Sequence, residues 1–506
     1  MPEKLVRHVG ARLSPQWRKA LLAATLLSVL LAAVAAIHRI PWSDEGLFSS
    51  ASYNLAHHGF MGTTVVDPTD MRLTRIDLRT YWVMPLYLLG QAVWLKLFPA
   101  TLVVVRLFTV LWIPLVLFSF YRFLRKVTSN PNASALATCL LGLSFIFIDN
   151  AGFARPDLMC FALGLSGLAV YVEWREEHFY RALIVSNALI AASGLTHPNG
   201  VFHLLGLVVL VLYYDRRRLS IPAVGAAALP YAIFAAIWSV YIFQDYSAFH
   251  DQMRGNGTNG RWASTLNPIA ILSGEFRERY MLAFGLATRG WALLKLPAAF
   301  VYLIAIAGAL FQRGFRSEPS TRLILLLAAI YFVALAVFNQ KLTYYLVHIL
   351  PWYLALTALY VAWLWQRIPK LRIALVLAMA GLTCLETGGV LLKAFSRSHI
   401  LAEEQAAIDF ARAHAQPQDR IVATAGLIYG FGFDTRLHDD ERLGTTSGLR
   451  PDVIVIEPLY RGLYESWTVD RPREMAIVSE RLATYRRSFD NGTCQVYLRP
   501  ERANQL

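Results

Sequence analysis

Charged side chains are scarce in this chain: Asp, Glu, Lys and Arg make up 16% of its 506 residues, against about 25% in an average soluble domain. That shortage excludes an ordinary soluble enzyme. Cysteine is rarer still. Cys139, Cys160, Cys384 and Cys494 form no CxxC pair, and three of them fall inside apolar runs, so they supply neither a disulfide framework nor a thiolate metal site. No HExxH or similar histidine set occurs, the glycines between Gly426 and Gly432 lack the spacing of a dinucleotide loop, and no repeat of 20 to 50 residues is visible. What is abundant is apolar: 56% of the residues are hydrophobic, in runs close to the roughly 20 residues that cross a bilayer's hydrocarbon core. The chain therefore reads as a polytopic membrane protein. Basic residues outnumber acidic ones, 48 to 34, for a formal charge of +14. In a soluble chain that would suggest nucleic acid; here most of the basic residues sit between apolar runs, the pattern that sets membrane topology, and no nucleic-acid partner is expected.

The first apolar run, 20–37, follows Lys4, Arg7, Arg12, Arg18 and Lys19 and is longer than a signal h-region, so it reads as an uncleaved first helix. The stretch 81–98 is ambiguous, because it contains Pro85, Gly90, Gln91 and Lys96. If it crossed the membrane, Arg122, Arg125 and Lys126 would lie outside, and so would Arg216, Arg217 and Arg218. Placing it at the interface instead puts both basic clusters inside. Spans are then expected at 20–37, 101–121, 133–149, 157–173, 181–196, 200–214, 221–242, 291–312, 322–338, 343–364 and 373–392, about eleven in all. This predicts an integral protein of a bacterial inner membrane, with a cytoplasmic N-terminus and three long outward segments: 41–100, 243–290 and everything after Lys393. Residues 1–392 form an all-α membrane domain in this reading, and 393–506 a small extracytoplasmic α/β domain. Its expected elements are a helix over Glu403 to His414 and strands over Arg420 to Ala425, Val453 to Glu457 and Cys494 to Leu498.

Four polar clusters fall at the outward ends of these spans, where ionisable residues are costly enough to be functional candidates. Trp42-Ser43-Asp44-Glu45-Gly46 follows the first helix and precedes Tyr53 and His57; helix capping by Ser43 or Asp44 is the competing reading. Ala154-Arg155-Pro156-Asp157 could equally be a rigid turn with an ion pair. Thr196-His197-Pro198-Asn199-Gly200 could be a plain turn. Gln340-Lys341-Leu342-Thr343-Tyr344-Tyr345 also fits a snorkelling lysine beside interfacial tyrosines.

Together these residues resemble the GT-C superfamily of polyprenyl-phosphate-dependent glycosyltransferases. The likeness rests on the acidic pair in the first outer loop, the interfacial helix before span two, the RPD and HPxG turns and the KxxYY motif. It is nearest to family 39 protein O-mannosyltransferases and to aminoarabinose transferases acting on lipid A, and covers roughly residues 15–392. The tail carries no recognisable sugar-binding module, and the loop from Asp70 to Thr80 lacks the lysine that some relatives place there. The resemblance implies transfer of a sugar from a polyprenyl-phosphate donor to a lipid, glycan or protein acceptor. Asp44 would be the base within about 3 Å of the acceptor, and Glu45 would orient the acceptor or hold a cation. Lys341 and Arg155, with Arg75 and Arg79 behind them, would stabilise the charge that grows on the donor phosphate. Asp157, His197, Tyr344 and Tyr345 would line the substrate site. No cofactor is required and no metal ligand set is present, although Asp157 and Asp44 leave a divalent cation open. The glycine-rich stretch from Arg254 to Arg261 suits either a substrate-ordered loop or a connector. Two other classes remain: a transporter or flippase of a lipid-linked substrate, which would place charges and helix breaks inside the spans, and a silent membrane scaffold.

Overall fold

A computed structural model describes residues 13–67, 73–258, 267–287 and 290–503. Lys4, Arg7, Arg12, Asp70 and residues 259–261 of the expected glycine-rich loop lie outside the described residues; its first five residues, 254–258, end the helix Tyr246–Thr258 instead of forming a loop. A helix stands at each of the eleven expected span positions. Eight described helices are long and apolar enough to cross a membrane, and a ninth forms if Pro131–Gly142 and Phe145–Ala151, bent by 55° at their junction, count as one. The other two, Gly200–Asp215 and Leu350–Arg367, have 16 and 18 residues. The stretch expected at the interface forms the helix Pro85–Leu97. Its 13 residues rise only about 20 Å, short of the roughly 30 Å of a hydrocarbon core.

The chain divides into two compact units. The first comprises the described parts of Met1–Ala35, Thr109–Val240 and Gly260–Lys393. It is a bundle of apolar helices, and its one sharp bend has a local cause. The break at Leu143 and Ser144 frees the Phe145 N–H, which donates at 2.8 Å to Glu386, a buried acid on the helix Arg372–Ser396. A buried amide and a buried carboxylate thus satisfy each other.

The second unit comprises Ala36–Phe108, the described part of Tyr241–Asn259, and Ala394–Leu506 up to residue 503. Its sheet has five strands: β1 (Ile421–Val422), β2 (Leu437–His438), β3 (Val453–Ile456), β4 (Arg486–Asp490) and β5 (Gln495–Leu498), in the order β2-β1-β3-β5-β4. β1 runs parallel to β2 and β3, and β5 antiparallel to β3 and β4. The run Val453-Ile454-Val455-Ile456 is buried on both faces, so it is continuously apolar rather than alternating. Val453 and Val455 meet the helix Ser398–His414 through Ile408 and Ala411, and the same core takes in Leu47, Val65 and Val66 from the segment 41–100. Ile454 and Ile456 face Tyr460, Tyr464 and Trp467 of the helix Pro458–Asp470. The tail and the segment 41–100 therefore share one core. Val66 also bridges to Asp439 in parallel just beyond β2.

Candidate functional site

In the second unit the acidic pair opens the helix Ser43–His58, with Trp42 at its cap position. Its two carboxylates have different environments. Glu45 is fully buried and gripped by Arg106, which donates from Nε to Oε1 and from Nη2 to Oε2, both at 2.7 Å. Oε2 also accepts the Trp42 N–H at 3.0 Å. The remaining Arg106 donors go to the carbonyls of Ala36, Arg39 and Ile40 at 2.8, 2.7 and 3.0 Å, so all five guanidinium N–H groups are used. Arg106 thus ties the end of the first helix to the start of the next. Both oxygens of Glu45, for which an acceptor-orienting or cation-holding role is expected, are thus engaged by Arg106 and the Trp42 N–H. Asp44, in the same first turn, is only partly buried. Close packing fixes this turn: a Cβ on Gly46 would come within 1.9 Å of the Ala425 carbonyl oxygen. Tyr53 stacks on Phe433 with ring centroids 4.2 Å apart, and Tyr429 donates to Ser49 at 2.9 Å.

Arg75 and Arg79 belong to this unit as well. Arg75, in the left-handed region at φ 57°, pairs with Asp245 at 2.7 Å and is half-exposed, while Arg79 reaches Gln244. The buried amide of Gln252 holds their loop, accepting from Tyr81 N and Trp82 N and donating to the carbonyls of Thr74 and Arg79 at 2.9 and 2.8 Å. The segment 41–100 and the helix that carries Gln252 are thereby stapled together.

Three of the other expected clusters converge within the first unit. Arg155 Nε lies 3.0 Å from Asp157 Oδ2, and both side chains are buried. The Arg155 guanidinium sits over the Tyr344 ring, 4.1 Å from its centroid, so a cation–π contact and an ion pair fix it from two directions. Tyr344 packs edge-on against Tyr345, whose ring lies 5.8 Å from that of His197. His197 Nδ1 accepts the Asn199 N–H, and its neutral ring therefore carries the proton on Nε2. Asp157 Oδ1 and both ring nitrogens of the fully buried His348 have no hydrogen-bond partner among the described residues. The rings of Phe161 and Phe202 pack against His348, with centroids 5.9 and 5.4 Å away.

Lys341 is occupied differently from the expectation of a phosphate-facing cation. Its Nζ is 3.0 Å from Glu275 Oε2 and 2.6 Å from the Ala336 carbonyl. Glu275 begins the π-helical turn Glu275–Tyr280 and also pairs with Arg279 at 2.5 Å. Sequence reasoning missed Glu275, Arg106 and His348. Arg106 did carry a signal, as a lone arginine inside an expected span. No group of three or more His, Cys, Asp or Glu side chains placed to hold a metal ion occurs among the described residues.

No family model matches the chain. An uncharacterized protein of Aquifex aeolicus is 30% identical over 172 residues, and the match spans about a third (32%) of the length of each. The crystal structure of ArnT from Cupriavidus metallidurans bound to undecaprenyl phosphate is similar at TM-score 0.63 and 14% identity, covering 96% of this chain and 98% of that one. The oligosaccharyltransferase AglB from Archaeoglobus fulgidus, in complex with an inhibitory peptide and a dolichol-phosphate, is similar at TM-score 0.57 and 12% identity, over 96% of this chain and 75% of that one. The same archaeal enzyme with Zn and sulfate gives 0.53 and 12%, over 95% and 73%. Over nearly its whole length, the chain therefore has the fold of these two proteins, with a small five-stranded sheet near its C-terminal end.

Proposed function

We propose that this protein is an integral-membrane glycosyltransferase that moves a sugar from a polyprenyl-phosphate donor to an acceptor lipid, glycan or protein outside a bacterial inner membrane. The observation that carries the reading is the division of labour in the acidic pair: Arg106 consumes Glu45 and so fixes the helix turn on which the partly exposed Asp44 stands. The end-to-end fold likeness to a protein bound to undecaprenyl phosphate and to another bound to dolichol-phosphate supports it.

A polyprenyl phosphate is already a good leaving group, so the chemistry needs a base and a cation. Asp44 takes the proton of the acceptor hydroxyl or amine as it attacks the anomeric carbon. Arg155, oriented by Asp157 and Tyr344, meets the charge that develops on the departing phosphate. Lys341 reaches that phosphate by exchanging Glu275 for it, and Arg75 and Arg79 contribute from the outer loop. His197, Tyr344 and Tyr345 line the donor site. A divalent cation would need Asp157 and Asp44 together, and the chemistry described runs without one. In this topology the N-terminus is cytoplasmic and residues 393–506 are extracytoplasmic.

A transporter would keep ionisable groups inside its spans for coupling. Arg106 and Glu386, buried within the spans, are committed to structural bonds, which leaves His203 and His348 among the buried span residues a coupling role would use. The test is turnover by the purified protein of a panel of polyprenyl-phosphate-linked monosaccharides. Sugar transfer inhibited by free undecaprenyl phosphate supports the reading; movement of intact donor across a vesicle without bond cleavage supports the transporter.

A further inference from the structure

The second unit contains a cavity of about 270 Å³ that the chemistry above does not use. One of its walls is a single face of the helix Ser398–His414, made by Leu401, Glu404, Gln405 and Ile408, the spacing that brings side chains to one side of a helix. Pro41, Leu102 and Val103 make much of the facing wall apolar. Several polar groups at its edge are already engaged. Gln405 donates to Asp409, Thr101 Oγ1 accepts from Val104 N, and the Tyr429 hydroxyl donates to Ser49.

Glu404 is different. It is 4% exposed and lines the cavity, and no hydrogen bond or ion pair holds its carboxyl among the described residues. Burial, with the like charge of Glu457 behind it, pushes its carboxyl up to about 8 against the pull of Arg106. Glu457 has the same sign and is buried, with its oxygens receiving Leu459 N and Tyr460 N. Arg106 has no N–H to spare, since Glu45 and three carbonyls take all five. The cavity therefore combines an apolar wall with one uncompensated acid. Buried in this way, the carboxyl keeps its proton until it meets a partner of opposite sign that also donates hydrogen bonds and stabilises its charged form.

We propose that this cavity binds a primary amine carried on a short apolar body, with Glu404 as its counter-ion. The ammonium meets the carboxylate and the carbon chain replaces water along Leu102, Val103 and Ile408. Pro41 and Leu102 each lie within a few residues of the end of a helix that reads as a span, so the amine can arrive as a lipid headgroup or as a free solute.

The test uses the full chain purified in detergent and two probes of matched shape, n-butylamine and n-butanol, titrated by saturation-transfer NMR. The expected result is that the amine binds at least about tenfold more tightly than the alcohol, the range of a charge-assisted hydrogen bond. In Glu404→Gln the preference disappears while butanol binding is kept, which shows the cavity intact. Leu401→Trp, which fills the space, removes both. Equal affinity of the two probes for the wild type, no amine binding, or a preference that survives in Glu404→Gln overturns the proposal. In nanodiscs, displacement of butylamine by phosphatidylethanolamine but not phosphatidylcholine assigns the amine to a headgroup, and displacement by ethanolamine alone assigns it to a solute. The readout is binding, so it is independent of whether Asp44 supports transfer.

Discussion

Replacing Glu45 by Gln keeps the side chain's shape and removes its charge, which isolates what the buried pair contributes. In the wild type both carboxylate oxygens receive Arg106 N–H groups at 2.7 Å, and both side chains are fully enclosed. The amide offers one oxygen, and its NH₂ faces a guanidinium N–H, so the arginine is left charged, buried and short of a partner. Breaking one side of such a pair costs about 3–5 kcal/mol. Unfolding of detergent-solubilised protein by SDS titration, read by tryptophan fluorescence, should show a loss of that order. Arg106→Met combined with Glu45→Gln should recover part of it, because no orphaned charge remains. A Glu45→Gln variant within about 0.5 kcal/mol of the wild type would refute the staple.

The remaining predictions separate chemistry from structure. Asp44→Asn should cost less than about 1 kcal/mol of stability, the size of a first-turn charge acting on the helix dipole, while abolishing transfer and leaving donor binding in place. Arg155→Ala should slow single-turnover transfer by about 10²–10³-fold, as for loss of one charge-stabilising donor; Arg155→Lys should restore only part, because the planar contact with Tyr344 is lost. Reporter fusions after Asp215 and after Arg397 should read inside and outside, and an inside signal at Arg397 would end the topology. Asp439 supplies a pH test. Burial pushes its carboxyl up to about 7, against the opposing hydrogen bonds from Ala425 N and the Tyr460 hydroxyl. The folded state then holds a proton that the unfolded chain, with an Asp near 3.9, has released. Its contribution to stability is accordingly full below pH 4 and is lost as pH rises to about 7. The unfolding midpoint should carry a falling component across that window, and Asp439→Asn should remove it.

Much of the membrane part was legible because its signal is one-dimensional. Apolar runs and the basic residues between them placed a helix at every expected span, and the same basic residues set 81–98 apart from the spans, where the helix Pro85–Leu97 is too short to cross. The β3 run and the apolar helix face behind Ile408 were equally plain. β2 was not, because two residues carry no periodicity. β4 was missed because its sequence, Arg486-Arg487-Ser488-Phe489-Asp490, is polar, as suits an exposed edge strand. The site was half legible. The RPD, HPxG and KxxYY residues were singled out separately, and the fold brings Arg155, Tyr344, Tyr345 and His197 into one chain of contacts. What sequence could not give was pairing: nothing local links Glu45 to Arg106, or Lys341 to Glu275. In each case the partner decides whether the residue is available to a substrate.

The central claim is tested most directly in cells, by mass spectrometry of envelope lipids, glycans and proteins from a strain lacking this gene, complemented with the wild type or with Asp44→Asn. The account predicts that one sugar increment on an envelope molecule disappears with the gene, returns with the wild type and stays absent with a folded, membrane-inserted Asp44→Asn protein. An unchanged envelope in the deletion strain, or full restoration by Asp44→Asn, would contradict it.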